Sequence, residues 1–237
     1  MTKVLLEAKD LKLSYGEVTV VRDLSIHVGR AEVVGLVGAN GAGKSTVLKA
    51  IAGKPVERGN ILLDGADITT LRGHQRVNRG VALVPEGRRL FGPLTVLDNL
   101  RLGGYLVSDE TTLSERLETV FELFPVLWER REQRADTLSG GEQQMAAVAR
   151  GLMSGPRLIM LDEMSLGVMP SVVEALYGLV ARLVDDGVAV IIADQNLSEL
   201  LEVVDRAYVM QTGRVVLEGT GAELAKNDEV RRAYLGI

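Results

Sequence analysis

The segment that most constrains the fold of this chain is an octapeptide, Gly38-Ala39-Asn40-Gly41-Ala42-Gly43-Lys44-Ser45. It lies between an apolar run at Val33–Val37, which predicts a strand, and a helical pattern over 43–52. Glycines at such a turn let backbone N–H groups converge on a phosphate without side-chain clashes. Lys44 can neutralise the β- and γ-phosphate oxygens, and Ser45 can offer its hydroxyl to Mg²⁺. The octapeptide, named the phosphate loop, therefore predicts a nucleotide site.

The residues expected to hold the nucleotide share a backbone N–H or a short polar or cationic side chain near the phosphates. They are Gly38, Asn40, Gly41, Gly43, Lys44, Ser45 and Thr46. The expected metal is Mg²⁺, which keeps several waters and uses few protein oxygens. The site is therefore expected to need one further acidic ligand from elsewhere in the chain.

Strand patterns alternate with helical patterns along most of the chain. Apolar runs that predict buried parallel strands occur at 81–84, 158–161 and 188–193, and helical patterns occur at 142–152 and 171–184. This order predicts an α/β fold. From 92 to 136 the strand signals vanish and helical periodicity replaces them, which predicts a helical insert.

Composition excludes several classes of protein. The chain has 237 residues, of which 46% are hydrophobic and 25% are charged, so a disordered chain is not expected. The net charge of −5 argues against nucleic acid as a partner. The absence of cysteine removes disulfides, thiolate zinc sites and cysteine nucleophiles. No apolar run approaches the roughly 18 to 20 residues of a membrane span, so a cytosolic protein is expected.

Two carboxylates follow the predicted strand at 158–161. Taken alone, Asp162 and Glu163 could be two solvated acids after a buried strand. With a phosphate loop in the same chain, an NTPase needs one acid beside Mg²⁺ and another that orients or deprotonates the attacking water. We therefore assign Asp162 to the metal, with Ser45, and Glu163 to the water.

A second set of phosphate-binding donors is predicted where a helix begins, at Leu138-Ser139-Gly140-Gly141-Glu142-Gln143-Gln144. Ser139 could act only as an N-cap, but that would not explain its position 23 residues before Asp162. The order and spacing of these motifs resemble those of the ATP-binding subunits of ABC transporters. In that family two such subunits face each other, and Ser139, Gly140 and Gly141 would close over ATP held by the other subunit.

The resemblance covers essentially the whole chain. It implies a P-loop NTPase (RecA-like) core with an antiparallel β subdomain over 1–91 and 137–237, and an inserted α-helical subdomain over 92–136. Tyr15 matches the aromatic residue that stacks on adenine in this family, although a half-buried strand tyrosine is the alternative. The segments 84–91 and 94–100 are similar to those of one subgroup, the second ATPase subunit of branched-chain amino acid importers.

Two departures from the usual family pattern concern catalysis. Glu86 replaces the glutamine that links Mg²⁺ and the attacking water to the helical subdomain, and it keeps an oxygen ligand while adding a charge. Gln195 occupies the place of the switch histidine, so it can hydrogen-bond a γ-phosphate but cannot become cationic. Met164 and Val168 also differ from the usual residues, which puts communication between the two ATP sites in question.

The function implied by the resemblance is ATP hydrolysis that powers a membrane importer, with branched-chain amino acids as the leading substrate. The implied partners are a second ATPase subunit or another copy of this chain, two membrane permease subunits and, indirectly, an extracytoplasmic substrate-binding protein. The protein would then be peripheral on the inner face of the membrane. Alternatives are an ATP-binding regulatory half whose partner does most hydrolysis, an importer of urea, amides or other small solutes, and a soluble ATPase acting on nucleic acid.

Four aromatic residues have two interpretations. Phe91, Phe121, Phe124 and Trp128 lie in or near the insert, where the family seats a cytoplasmic helix of the membrane subunit. The helical spacing of Phe121 and Phe124 predicts core burial. We favour core positions for all four.

Overall fold

The structure is a computed structural model that describes residues 3–230. Its strands are β1 (Val4–Tyr15), β2 (Val18–Gly29), β3 (Val33–Val37), β4 (Arg58–Leu63), β5 (Ala66–Asp67), β6 (Val81–Val84), β7 (Leu158–Asp162), β8 (Ala189–Asp194), β9 (Arg206–Gln211) and β10 (Arg214–Thr220). A four-stranded antiparallel sheet has the order β2-β1-β4-β5, and a six-stranded sheet has the order β10-β9-β3-β8-β7-β6.

The helices connect and cover these strands. They are α1 (Lys44–Ile51), α2 (Gly73–Val77), α3 (Val96–Gly103), α4 (Glu110–Leu123), α5 (Pro125–Glu129), α6 (Gly140–Leu152), α7 (Pro170–Asp185), α8 (Leu197–Val203), α9 (Gly221–Lys226) and α10 (Asp228–Val230). A 3₁₀ turn, Ala135–Thr137, precedes α6. Within residues 3–230, no helix is both long and apolar enough to cross a bilayer.

The larger sheet places three loops side by side. Strands β3, β8, β7 and β6 run parallel, with Val37 paired to Asp194 and Asp162 paired to Ala193. The carboxyl ends of parallel strands meet at one edge of a sheet, where α/β proteins bind ligands. The phosphate loop after β3 therefore emerges beside the segments that follow β7 and β8.

Each face of this sheet packs against a different layer. In β3, Val34 and Leu36 join the cluster that includes α1 and the antiparallel sheet, whereas Val33 and Val37 join the cluster that includes α6, α7 and α8. Alternate residues of a strand point to opposite faces, so one short buried strand contributes to both cores. Helix α1 is thereby held between the two sheets, which fixes the direction of the phosphate loop at its start.

Between β6 and β7, where a helical insert over 92–136 is expected, the chain forms α3, α4 and α5. Thr95 begins α3 with a capping box, in which its hydroxyl accepts from the N–H of Asp98, and Asp109 caps α4. Buried Asn99 ties α3 to the preceding loop, because its amide donates to the carbonyls of Phe91 and Thr95. These bonds fix the first helix of the insert to the chain that leaves β6.

The prediction for the aromatic residues was wrong for two of the four. Phe124 is buried and Phe121 packs against the core, but Phe91 and Trp128 are 53% and 52% exposed. Trp128 makes an edge-to-face contact with Phe121 and carries the Arg131 guanidinium over its ring, 4.0 Å from the centroid. Its polar N–H and an adjacent cation make a half-exposed position less costly than burial.

Candidate functional site

The phosphate loop has the backbone that its glycines predict. At Gly43, which immediately precedes α1, φ is 104°, a value that side-chain-bearing residues rarely adopt. At Gly38 a Cβ would collide with the carbonyl oxygen of Met210 on β9. The loop therefore packs directly on the sheet, and both glycines are required by geometry as well as by access for a ligand.

Lys44 lies within the curve of this loop. The side chain is buried, and its ammonium donates to the carbonyl oxygens of Gly38 at 2.7 Å and Ala39 at 3.3 Å. Burial lowers the pKa of Lys44, while the carboxylates of Glu163 and Asp194 act in the opposite direction. A cation already desolvated and aimed into the loop interacts strongly with phosphate oxygens, because little water must be removed when a nucleotide binds.

Asp162 and Ser45 fit a Mg²⁺ ion. The Ser45 hydroxyl donates to Asp162 Oδ1 at 2.9 Å, and the second oxygen, Oδ2, is buried without a hydrogen-bond partner in the described part of the chain. Burial raises the pKa of Asp162, so the ionised form is costly until a cation compensates it. One carboxylate and one hydroxyl suit an ion that retains waters and binds phosphate oxygens.

We predict that Asp162→Asn stabilises the chain when Mg²⁺ is absent. The raised pKa means that the folded state binds this proton more tightly than the unfolded state, so stability falls as pH rises past the ordinary carboxyl range. At neutral pH the amide removes that penalty, and the free energy of unfolding should rise.

Urea unfolding in EDTA measures this change, and Asp186→Asn, an exposed position after α7, is the matched control. The same Asp162 variant should lose most of the additional stabilisation that Mg²⁺ and ATP give the native chain, because it lacks the metal ligand. A decrease in stability in EDTA would contradict the role of Asp162 as an uncompensated buried acid.

Glu163 follows Asp162 and has a left-handed backbone with φ of 51°. Its N–H donates to the carbonyl of Ala193 at 2.8 Å, which fixes the turn at the end of β7. Partial burial raises the pKa of Glu163, and the nearby charge of Glu86 raises it further. A carboxylate with a raised pKa is a better proton acceptor at neutral pH than an ordinary glutamate.

Glu86 and Gln195, the two residues that depart from the usual family pattern, lie at the rim of the same site. Glu86 is exposed and close enough to influence the charges of Glu163, Asp162 and Lys44. Gln195 is exposed immediately after β8. The structure thus brings Glu86 into the charge cluster and places Gln195 at the neighbouring strand end.

Sequence reasoning missed Asp194, which organises the loop that carries Gln195. Buried Asp194 accepts hydrogen bonds from the N–H groups of Gln195 and Asn196 at 2.7 and 3.0 Å. Its other oxygen accepts from the Ser165 hydroxyl at 2.7 Å. One carboxylate therefore joins the segment after β7 to the segment after β8. The signal was an acid at the end of an apolar run, the same signal that identified Asp162.

Tyr15 ends β1 and is 45% exposed, so the residue is about half buried and part of its surface is open to a ligand. The ammonium of Lys54 lies 3.1 Å from the ring centroid, and the contacts with Lys54 and then Thr46 lower the pKa of the Tyr15 hydroxyl. Thr46 lies in the first turn of α1, directly after the phosphate loop. The ring is therefore an accessible aromatic surface beside the phosphate-binding helix.

We predict that Tyr15→Ala weakens ATP binding about tenfold or more, since stacking of a base on an aromatic ring contributes about 1–3 kcal/mol. Tyr15→Phe, which keeps the ring, should bind ATP nearly as the native chain does. Calorimetric titration of ATP into both variants measures the difference. Equal affinities for Tyr15→Ala and the native chain would show that the adenine stacks elsewhere.

The second set of donors has the geometry of a helix start. The Ser139 hydroxyl accepts from the N–H of Glu142 at 3.3 Å, and the Ser139 N–H donates to the Glu142 carboxylate at 2.8 Å. A serine that accepts in this way keeps its own proton for donation. The N–H groups of Gly140 and Gly141, in the first turn of α6, also remain available for an anion.

A comparison with protein families identifies the chain. A model described as ABC transporter matches residues 21–165, more than half of the sequence. The chain belongs to the ABC transporter ATP-binding family. The fold expected from the resemblance is confirmed by solved structures: an ATP-binding cassette of an ABC transporter in its ADP conformation has a TM-score of 0.85 at 26% identity and full coverage of both chains.

Curated ABC relatives match over nearly their full lengths. The branched-chain amino acid transport ATP-binding protein BraG of Pseudomonas aeruginosa is 45% identical, with 94% of this chain and 95% of the relative covered. A probable branched-chain amino acid transport ATP-binding protein of Archaeoglobus fulgidus is 34% identical, covering 98% and 99%. The lipopolysaccharide export ATP-binding protein LptB of Escherichia coli is 36% identical, covering 98% and 97%.

Proposed function

We propose that this chain is the ATP-hydrolysing subunit of a membrane importer for branched-chain amino acids, located at the inner face of the cell membrane. The observation that carries the proposal is the identity of 45% with BraG across nearly the whole of both chains. The site supports it, because the phosphate loop, Asp162 and Glu163 lie together at one edge of the sheet. Hydrolysis needs these three elements in one place.

The reaction is in-line attack of water on the γ-phosphate of ATP. Lys44 and the N–H groups of the phosphate loop hold the phosphates, and Glu163 accepts the proton of the attacking water. Ser45 and Asp162, with Glu86 nearby, would hold Mg²⁺, which when bound neutralises charge on the β- and γ-phosphates. Gln195 can hydrogen-bond the γ-phosphate without adding charge. The raised pKa of Glu163 matches its role as the base.

The catalytic unit would be a pair of ATPase subunits. In the described chain, neither the hydrogen bonds nor the charge effects of Lys44, Asp162 and Glu163 involve the residues 138–144. The Ser139 hydroxyl and the glycine N–H groups would instead serve ATP held by a second subunit, either another copy or a distinct ATPase. Two permease subunits would receive the closure motion, and an extracytoplasmic binding protein would deliver the substrate.

A second candidate function rests on Gln195. An amide cannot supply the positive charge that an imidazolium would give to the γ-phosphate. This chain would then bind ATP chiefly as a regulatory half, and its partner would perform most of the hydrolysis.

Nothing in the chemistry of the ATP site itself selects the transported solute, because the permease and binding protein contact it.

Reconstitution of the purified complex in lipid vesicles tests the proposal. We expect this chain to co-purify with two permeases, and labelled leucine, isoleucine or valine to accumulate in vesicles only with ATP on the side of this chain. Uptake of urea or amides instead would correct the substrate class, and outward movement of lipopolysaccharide would assign the chain to the function of its LptB relative. Purification without any membrane protein would contradict the proposal.

A further inference from the structure

The loop after β6 contains a run of backbone that needs an external constraint. Gly87, Arg88 and Arg89 are all left-handed, with φ of 76°, 62° and 50°. Such a conformation is unfavourable for arginine and persists when the surroundings impose it. Arg150, in the last turn of α6, supplies the constraint by donating to the carbonyl of Arg89 at 2.7 Å and to that of Arg88 at 3.2 Å.

This backbone conformation directs the Arg88 side chain to the start of α6, the opposite end of the helix from Arg150. One guanidinium nitrogen donates to the Gln143 side-chain oxygen at 3.0 Å, and the other donates to the carbonyl of Gly167 at 3.3 Å. The guanidinium also lies against Gly140, where a Cβ would be 3.2 Å from Arg88. Arg88 thus touches the start of α6 and the segment Ser165-Leu166-Gly167-Val168 at once.

Gln143 extends this contact into the turn before α6. Its amide donates to the carbonyl oxygens of Ala135 at 3.1 Å and Leu138 at 3.3 Å. The Leu138 carbonyl immediately precedes Ser139, so Gln143 holds the entry to the helix while Arg88 holds Gln143. A planar guanidinium suits this role because it offers several donors in a fixed geometry.

The charge of Arg88 is placed where it does not stabilise the helix. The N-terminus of a helix carries partial positive charge and favours anions, so a cation beside Gly140 is unfavourable for an isolated α6. The same cation adds to the positive potential that the free N–H groups of Gly140 and Gly141 present to an incoming phosphate. The position of Arg88 therefore favours the binding of an anion at the start of α6 and does not favour the stability of the isolated subunit.

We infer that Arg88 is a positioning residue for ATP hydrolysis in the opposite subunit, an inference that rests on the proposed function. Arg88 holds Ser139, Gly140 and Gly141 in the orientation that closes over the partner's γ-phosphate. It also joins that helix start to the loop after Glu86 and to the segment after Glu163. Removal of the guanidinium should therefore impair the site that this chain completes more than the site that this chain contains.

Two arrangements of the same substitutions test the inference in the assembled complex. In the first, this chain carries Arg88→Ala with Glu163→Gln, so the one intact site is the partner's, completed by the altered helix start. In the second, this chain carries Arg88→Ala and the partner lacks its catalytic glutamate, so the intact site is this chain's own. Single-turnover cleavage of γ-labelled ATP measures each site, against parents with Arg88 intact.

We expect the first arrangement to lose about tenfold in rate at saturating ATP relative to its parent, and the second to change less than about twofold. Arg88→Lys should recover only part of the rate, because an ammonium lacks the fork that spans Gln143 and Gly167. Adding Gln143→Ala to Arg88→Ala should cause little further loss, since both act through one contact. Arg101→Ala, an exposed arginine on α3, is the control and should change neither arrangement.

Equal losses in the two arrangements, or no loss in the first, would overturn the inference. A general folding defect would appear as equal losses and as a lower unfolding temperature of the isolated variant. If neither parent complex cleaves ATP, the proposed function fails. If the parents cleave ATP but Arg88→Ala lowers the rate equally in both arrangements, only the role of Arg88 is rejected.

Discussion

In a complex whose partner subunit lacks its catalytic glutamate, replacement of Glu163 by glutamine is expected to reduce ATP hydrolysis by about three orders of magnitude, with ATP binding retained. Glutamine keeps the shape of the side chain but cannot accept the proton of the attacking water. The groups that bind the phosphates, Lys44 and the phosphate loop, are unchanged. The variant should therefore accumulate bound, uncleaved ATP, and a steady-state phosphate-release assay with a nucleotide-binding titration separates the two effects.

The control for this substitution is Glu118→Gln, which removes the same charge from an exposed position on α4. It should leave hydrolysis unchanged. Glu163→Gln should also leave the fold intact, because its backbone contact with Ala193 does not involve the side chain. With the partner site silenced, turnover close to that of the complex in which Glu163 is intact would reject Glu163 as the base and would direct attention to Glu86.

The parts of the fold that were predictable from the sequence are those with strong local patterns. The strands at Val33–Val37 and Val81–Val84 have the predicted bounds, because each is a short apolar run buried on both faces. Helix α6 begins two residues earlier than the pattern at 142–152, since glycines obscure the helical signal while the Ser139 capping box still starts the helix. Strand β8 begins and ends one residue later than the predicted strand at 188–193, because the sequence has no turn signal after Gly187 to mark its start.

The antiparallel sheet was harder to predict because its pattern is broken. The twelve-residue strand β1 has register shifts on both sides, and at Asp10 its backbone is left-handed. Such bulges interrupt the alternation of apolar and polar residues that identifies a strand. Its partner β4 begins in a segment rich in polar residues and glycine, Arg58-Gly59-Asn60, which resembles a turn.

The residues of the candidate site also fall into two groups, those that a local motif identifies and those that only contacts distant in sequence identify. Residues that belong to a local motif, such as Lys44, Ser45 and Asp162, could be proposed from the sequence because a strand and a turn place them. Asp194 and Arg88 could not be proposed in this way, since their contacts are with Ser165, Gln143 and Gly167, which are distant in sequence. A carboxylate or a guanidinium that joins loops leaves no spacing rule in one sequence.

Lys44→Ala in this chain should abolish measurable hydrolysis at its own site, with a loss of about a hundredfold or more. The ammonium is the cation most deeply placed in the phosphate loop, held by the carbonyls of Gly38 and Ala39. Its removal leaves the phosphates with backbone donors alone. The fold should survive, because burial already disfavours this charge and alanine removes that cost. Lys226→Ala, an exposed lysine at the end of α9, is the matched control.

The comparison that decides between the two candidate functions places the equivalent substitution in the partner subunit and measures uptake by vesicles. If both sites hydrolyse ATP for transport, each substitution should reduce uptake by more than tenfold. If Gln195 makes this chain a regulatory half, Lys44→Ala here should leave much of the uptake while the partner's substitution removes it. Equal losses, together with a titration showing that the Lys44→Ala chain still binds ATP, would exclude the regulatory function, because bound ATP that need not be cleaved here would still support transport.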